Sequence, residues 1–291
     1  MAWLAGAASY KPLALLRIGV AAVLLLQAVV LWSHRDLLLV PDGLVPWEVS
    51  ELWLDPLVPR MSHVAALLAP SGLDAHAAAA VTLALHALAV LFLLFGMGTR
   101  AAAAVAWLTF LPIKGTGFLF TYGLAGMALI ALFYCVVMPV GRAWSLDARR
   151  HPERGRDGDG GALLPVMVLR LHLCIVYAAA GLSKAVGTQW WTGEAVWRAL
   201  SLPQFQQFDP TPLLAVPALL PALAVTAMLA QLLYPVLVWT RLRVPTVVVA
   251  EAIHLGIAAF LGLWLFSAMM MVLNAAAFGE SLYDAFRRRP R

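Results

Sequence analysis

Charged residues are scarce in this chain. Only 12% of its 291 residues are Asp, Glu, Lys or Arg, whereas 63% are hydrophobic and the mean hydropathy is +0.86. A soluble domain normally carries about 25% charged residues and cannot cover this much apolar surface. The composition therefore excludes an ordinary soluble protein. It predicts an all-α, polytopic integral membrane protein that is embedded in the lipid bilayer.

Cysteine is rare as well, and metal-binding patterns are missing from the sequence. Cys135 and Cys174 fall inside apolar runs and lack the spacing of metal ligands. The seven histidines are scattered, and no HExxH or CxxC motif occurs. We therefore interpret the cysteines as small apolar core residues and predict no protein-bound metal.

Apolar runs of about 20 residues, the length that crosses a bilayer, recur along the chain. They predict seven or eight spans in one membrane domain, residues 1–291, because the third and eighth runs are short enough to be tilted, re-entrant or broken helices. The runs lie near residues 12–33, 74–96, 101–113, 119–140, 162–184, 213–239, 244–262 and 264–279.

Basic residues are concentrated in alternate loops. If the N-terminus is inside, the arginines of a polar, Gly-rich linker at about 142–161 and those of the C-terminal tail face the cytoplasm, and the opposite side receives fewer. This asymmetry predicts cytoplasmic N- and C-termini. It also explains the net charge of +5 through topology, so we expect no nucleic-acid partner.

Two longer segments fall on the extracytoplasmic side, at residues 34–73 and 185–212. Both contain tryptophans, among them Trp47 and Trp53 in the first and Trp190 and Trp191 in the second. Aromatic rings at headgroup depth are typical of membrane interfaces. These segments therefore predict short interfacial helices.

The fifth run places polar groups along one helical stripe. Arg170, Cys174, Tyr177, Gly181 and Lys184 are spaced by 4, 3, 4 and 3 residues, and small residues precede the lysine. A neighbouring backbone can then approach closely and keep the amine from water. Such an amine favours its neutral form and is a usable general base, although a terminal lysine can also simply snorkel to the interface.

The seventh run carries Glu251 and His254, three residues apart and near mid-membrane. Ionisable groups at that depth pair structurally, relay protons or contact a substrate. Gln231 and Tyr234 supply further hydrogen-bonding groups on the sixth run. A transporter could use the Glu251–His254 pair as a proton relay, but matched broken helices are not evident in the two halves of the sequence.

Five stretches resemble one known family in their order and spacing. They are "LLRIGVAAVLLL", "LVPDGLVPWE", "GRAWSLDARR", "IVYAAAGLSKAVGTQWWTGEAVW" and "EAIHLGIAAFLGLWLFS". Together they resemble the HTTM (horizontally transferred transmembrane) family, the membrane domain shared by bacterial proteins and the vitamin K-dependent gamma-glutamyl carboxylases. The resemblance covers nearly the whole chain and implies a location in a bacterial plasma membrane.

The resemblance implies a function for the fifth run. Lys184 matches the lysine that deprotonates a vitamin K-type hydroquinone in the carboxylases, and His254 falls on a family histidine. The implied cofactor is a lipid-soluble quinol such as menaquinol. The implied substrate is an acid, which could be a small molecule or a peptide or protein supplied by another chain. The candidate quinone or substrate contacts are Glu251, Tyr177, Trp190, Trp191, Tyr234 and Gln231.

Two features of the sequence depart from the carboxylase pattern. Phe118 stands where those enzymes have a mechanistically important histidine, and only a short basic tail follows Gly279 where they have a large extracytoplasmic region. We therefore expect a hydroquinone-linked carboxylation or a related reaction rather than peptide carboxylation by this chain alone. The alternative is a non-catalytic maturation, immunity or transport-associated module, whose buried charges serve packing and pairing.

Overall fold

The computed structural model describes residues 9–117, 122–152 and 160–287, with side chains described as far as Glu280. Phe118 lies outside these ranges. No strand occurs in the described part of the chain. The all-α prediction is therefore confirmed over this part.

The chain divides into two compact units, Met1–Ala162 and Leu163–Arg291. The boundary directly follows the predicted linker at 142–161. The helices of unit 1 are α1 Lys11–Ser33, α2 Arg35–Leu38, α3 Trp47–Trp53, α4 Met61–Leu68, α5 Ala75–Phe95, α6 Thr99–Thr116, α7 Gly123–Val137 and α8 Leu146–Arg150. Those of unit 2 are α9 Leu163–Val186, α10 Thr188–Trp191, α11 Glu194–Ser201, α12 Leu219–Leu237, α13 Arg243–Leu261 and α14 Trp264–Arg287.

Five helices within the described ranges, α1, α5, α9, α12 and α13, are long and apolar enough to cross a membrane. The polytopic membrane character is thereby supported. The three remaining predicted spans correspond to α6, which carries a charge near each end, to α7, which has only 15 residues, and to the apolar part of α14. The count of seven or eight spans stays a prediction.

The core of unit 1 is organised around Arg17, whose side chain is 0% exposed. In this unit α1 packs on α5 and α7, and α6 packs on the same two helices. Arg17 donates to the backbone oxygens of Leu93 and Leu94 in the last turn of α5 and to those of Val140 and Trp144. The last carbonyls of a helix lack partners within that helix, so the guanidinium supplies a donor to the Leu94 oxygen and a second donor to the Leu93 oxygen, which also accepts from the Gly96 amide.

The segment "GRAWSLDARR", one of the five stretches that carry the family resemblance, contains a residue that connects distant parts of unit 1. The Asp147 carboxylate accepts hydrogen bonds from the Thr99 hydroxyl at 2.7 Å, the Thr99 amide at 2.8 Å and the Gly98 amide at 2.9 Å. These amides start α6, where N–H groups have no helical acceptor. Asp147 therefore caps α6 from a distant part of the chain.

Short helices α3 and α4 occupy the segment predicted to lie at the interface. Trp53 and Leu57 leave 77% and 89% of their surfaces exposed. Large apolar side chains of this kind lie at lipid headgroup depth in membrane proteins. Their interfacial position stays a prediction.

In unit 2, α9 packs on α12 and α14, and α13 packs on the same two helices. The polar stripe of α9 faces this packing, since Arg170, Cys174, Tyr177 and Gly181 are buried. A Cβ atom on Gly181 would lie 2.7 Å from the backbone nitrogen of Leu232. Only glycine allows α9 and α12 to approach this closely, as small residues do at membrane helix interfaces.

Candidate functional site

A chain of hydrogen bonds joins four buried side chains inside unit 2. Tyr177 on α9 contacts His254 on α13, with 2.8 Å between the hydroxyl oxygen and Nε2. The Asn274 amide on α14 donates to the same hydroxyl at 2.8 Å, and Tyr234 on α12 donates to Asn274 Oδ1 at 2.6 Å. All four side chains are at most 3% exposed, so the chain connects every long helix of the unit out of reach of bulk solvent.

Aromatic rings enclose these polar atoms. The Tyr177 and Tyr234 rings stack with centroids 4.0 Å apart and planes inclined by 27°. Phe266 meets the His254 imidazole edge-on at 5.8 Å, and Phe278 meets Tyr234 in the same manner at 6.2 Å. Such packing restrains the rings and excludes water from the hydrogen bonds between them.

Several buried atoms next to this chain have no hydrogen-bond partner among the described residues. They are Nδ1 of His254, Oε1 of Glu251, Oε1 of Gln231 and the hydroxyl of Ser267. Glu251 is also close enough to interact electrostatically with Tyr177 and Tyr234. Unpaired buried polar atoms are rare and costly, so a cluster of them marks a place where a ligand or water completes the bonding.

Lys184 ends the same face of α9 and is partly buried. Its Nζ lies 3.4 Å from the backbone oxygen of Ala180 and 4.8 Å from the centroid of the Trp190 ring. No carboxylate among the described residues forms an ion pair with it. The ammonium is therefore held by one long hydrogen bond and one cation–π contact.

The structure brings the sequence candidates together only in part. Tyr177, Tyr234 and His254 form one network, and Glu251 and Gln231 contribute unpaired atoms beside it. Lys184 and Trp190 form a separate contact, and Trp191 is exposed, with Nε1 donating to the Ala185 oxygen at 3.0 Å. In the described part of the chain, no contact joins Lys184 to His254 or Glu251.

Asn274, which the sequence reading missed, is the central member of the network. It is fully buried and makes three hydrogen bonds, the third to the backbone oxygen of Met270. Its signal in the sequence is a single amide in the apolar run "MMMVLNAAAFG". A polar side chain facing the interior of a membrane bundle is a functional candidate by default, as are ionisable ones.

No group of three or more His, Cys, Asp or Glu side chains is arranged to hold a metal ion, as far as the structure describes the chain. The cysteines Cys135 and Cys174 are free and buried. The side chains of the candidate site carry amide, hydroxyl, imidazole, carboxyl and amine groups.

Comparison with known families gives one match, to the HTTM domain, over residues 122–280. The chain belongs to the HTTM family. The matched range runs from the start of α7 to Glu280 and contains every member of the hydrogen-bonded network, as well as Lys184 and Glu251. No curated protein and no solved structure matches the chain.

Proposed function

We propose that this HTTM protein is an integral-membrane enzyme in which Lys184 acts as a base toward a lipid-soluble hydroquinone of the menaquinol type. The reaction so driven is a carboxylation, or a related one, of a small acid or a peptide delivered by another chain. The supporting observation is the set of unpaired buried polar atoms on α12, α13 and α14. Of these helices, α12 and α14 pack on α9, and α13 is joined to α9 by the contact between His254 and Tyr177. Desolvated acid–base groups of this kind are typical of catalytic sites.

The residues present fit a hydroquinone chemically. Its ring is apolar and carries a hydroxyl group at each of two opposite ends, and the site offers aromatic walls together with the unpaired acceptors Glu251 Oε1 and Gln231 Oε1. Tyr177 and Lys184 lie seven residues apart on α9, which separates them by about 10 Å along the axis. The site thus has polar groups at two levels with apolar packing between them.

A bound hydroquinone would supply, together with molecular oxygen, the strong base that removes a carbon-bound proton before carbon dioxide is added. The task of Lys184 is to accept a hydroxyl proton, and its amine must be neutral to do so. The cation–π contact with Trp190 stabilises the ammonium, so that contact holds the proton once it has been transferred. Close packing of α9 on α12 at Gly181, about one turn before Lys184, limits the access of water from that side.

A second candidate function is a non-catalytic membrane module. It is favoured by the contacts of Lys184 with its own helix and with an interfacial tryptophan, which are those of a residue that anchors a helix end. In that case the buried network would serve only to fix the packing of unit 2. The two candidates differ in what an apolar replacement of Lys184 does.

The test compares Lys184→Met with Lys114→Met, a matched replacement of the lysine in α6, which lies outside the family match. The purified proteins in lipid nanodiscs receive short-chain menaquinol without oxygen, and quinol oxidation is then followed by absorbance after oxygen and carbon dioxide are admitted. We expect menaquinol to raise the melting temperature of the wild type, since a ligand at 100 times its Kd adds about 2.7 kcal/mol. We expect turnover in the wild type and in Lys114→Met, and its loss in Lys184→Met.

Stable folding of Lys184→Met is part of the expectation, because Lys184 has no ion-pair partner among the described residues and its apolar replacement leaves no opposite charge buried alone. Equal quinol oxidation by Lys184→Met and the wild type would overturn the base assignment. A wild type that shows neither stabilisation by menaquinol nor turnover would support the non-catalytic module instead.

A further inference from the structure

We infer that Glu251 and the Nδ1–H group of His254 together bind one hydroxyl group of a ligand, and that Tyr234, Asn274 and Tyr177 are positioning residues that set the His254 tautomer for this contact. The inference deepens the proposed function, on which it depends only for identifying the hydroxyl as that of a hydroquinone. Its basis is the direction of each hydrogen bond in the network.

The orientation of the Asn274 amide is fixed by its contact with a backbone oxygen, and its contact with Tyr234 agrees with that orientation. Its nitrogen lies 3.1 Å from the backbone oxygen of Met270, which can only accept a hydrogen bond. Its oxygen lies 2.6 Å from the Tyr234 hydroxyl, which donates to it. The nitrogen is therefore the atom that faces Tyr177 and donates to the hydroxyl there.

The Tyr177 hydroxyl has one proton, and the neighbouring groups determine where it goes. Asn274 donates to its oxygen and cannot take the proton, and His254 Nε2, 2.8 Å away, is the acceptor within reach among the described residues, so the proton is directed to it. A neutral imidazole carries its hydrogen on one nitrogen only. Since Nε2 accepts, Nδ1 carries the hydrogen and becomes a donor.

This Nδ1–H donor and a carboxyl acceptor are left without partners on the same face of α13. Glu251 lies three residues before His254, so the two side chains are neighbours on the helix surface. Glu251 Oε1 and His254 Nδ1 are both buried, and neither has a hydrogen-bond partner among the described residues. The pair therefore presents one acceptor and one donor that can be joined by a third group.

The chemistry of the pair selects the kind of ligand. A hydroxyl group satisfies both atoms, because it donates to Glu251 and accepts from His254. An ammonium group would satisfy only the carboxyl group, and an anion would satisfy only the imidazole while facing the carboxyl oxygens. The rings of Phe266 and Tyr177 beside His254 favour a hydroxyl carried on an aromatic ring, with a bridging water as the competing occupant.

The first arm of the test measures the tautomer in the ligand-free protein. Nitrogen NMR of protein with ¹⁵N-labelled histidine reports which ring nitrogen carries hydrogen, and His254→Phe assigns the signal. We expect the Nδ1–H form in the wild type and a mixture of tautomers in Asn274→Leu, which removes the directed bonds. Met269→Leu is the matched control, because Met269 is fully buried on the same helix and the change conserves the volume of an apolar side chain.

An Nε2–H form in the wild type would overturn the assigned direction of the network. So would an unchanged Nδ1–H signal in Asn274→Leu, since the tautomer would then be set without the positioning residues. Neither result involves a quinol or Lys184.

The second arm measures ligand class with 1-naphthol, which has a single hydroxyl group on an apolar ring system. We expect 1-naphthol to shift the His254 Nδ1 signal and to bind at least tenfold more tightly than naphthalene or 1-naphthoate. Glu251→Leu should lose this preference for the hydroxyl. Equal binding of naphthalene, or an unmoved His254 signal at the highest soluble 1-naphthol concentration, would assign the gap to water or lipid and overturn the inference.

The two proposals fail separately. Selective binding of 1-naphthol together with full turnover by Lys184→Met would refute the role of Lys184 as base and leave the hydroxyl site intact. Loss of turnover in Lys184→Met together with an unmoved His254 signal would refute the hydroxyl site alone.

Discussion

The buried side chains of Arg17 and His254 differ in how completely their polar atoms are hydrogen-bonded. The Arg17 guanidinium donates to four backbone oxygens from three parts of unit 1. In unit 2 hydrogen bonds join Tyr234, Asn274, Tyr177 and His254, but His254 Nδ1 and the nearby Glu251 Oε1 have no partner in the part of the chain that the structure describes. Satisfied buried groups hold a structure together, whereas an unsatisfied one calls for an explanation such as a bound water or ligand.

The largest expected effect is the loss of stability on changing Arg17 to methionine. Four backbone oxygens would lose a charged donor inside the core, and we expect a loss of at least about 3 kcal/mol in the free energy of unfolding. Arg35→Met is the control, since its pair with Asp36 is solvent-accessible and such pairs contribute about 1 kcal/mol or less. Unfolding titrations in sodium dodecyl sulfate measure both, and equal midpoints for the two variants would contradict the structural role of Arg17.

A smaller loss is expected from Gly181→Ala, which tests whether the unit 2 site needs the close approach of α9 and α12. The added methyl group would lie 2.7 Å from the Leu232 backbone nitrogen, and overpacking of this kind costs about 1–3 kcal/mol. In Gly256→Ala the new methyl group meets only Phe260 at 3.9 Å, so this change should be neutral or slightly stabilising. If both variants unfold at the same denaturant concentration, the close approach does not matter.

Within the network, Tyr177→Phe should destabilise the protein more than Tyr234→Phe. Tyr177 takes part in two hydrogen bonds and Tyr234 donates one, and a hydrogen bond between membrane helices is worth about 0.6 kcal/mol on average. The expected losses are therefore about 1–2 kcal/mol and about 0.5–1 kcal/mol. The same unfolding titration ranks the two, and a reversed order would argue against Tyr177 as the junction of the network.

The smallest effect is an acid dependence that originates in unit 1. Partial desolvation acts to raise the pKa of Asp147, but the hydrogen bonds from Thr99 and Gly98 outweigh it and hold the pKa below its ordinary value. A lowered pKa contributes stability above the unfolded-state value, and this contribution is lost as the pH falls through the folded-state pKa. The melting temperature should therefore fall less between pH 6 and pH 3 in Asp147→Asn than in the wild type. An equal fall in both proteins would exclude Asp147 as a source of the acid dependence.

The fold class followed from the sequence because membrane helices are governed by composition and length. Apolar runs of about 20 residues have few alternatives in a bilayer, and the described helices occur where those runs predict them. The buried stripe of α9 through Tyr177 and Gly181 was also predictable, since helical periodicity alone determines which residues share a face.

The connections across helices could not be predicted in the same way. Glu251 and His254 invited the prediction of a pair because of their spacing, yet His254 bonds to Tyr177, and Asn274 lies between the two tyrosines. Sequence spacing gives the face of one helix and not the partner that faces it. The same holds for Lys184, whose contacts with Ala180 and Trp190 are local and whose catalytic role stays a proposal.

The most direct test of the central claim is a high-resolution map of the protein in nanodiscs of bacterial lipid with menaquinol added under reducing conditions. The account predicts density for a ring whose one hydroxyl lies between Glu251 and His254 Nδ1, with its other hydroxyl within hydrogen-bond reach of Lys184 Nζ. A site that holds only water or lipid tails, with the Lys184 amine directed to the headgroups, would contradict it.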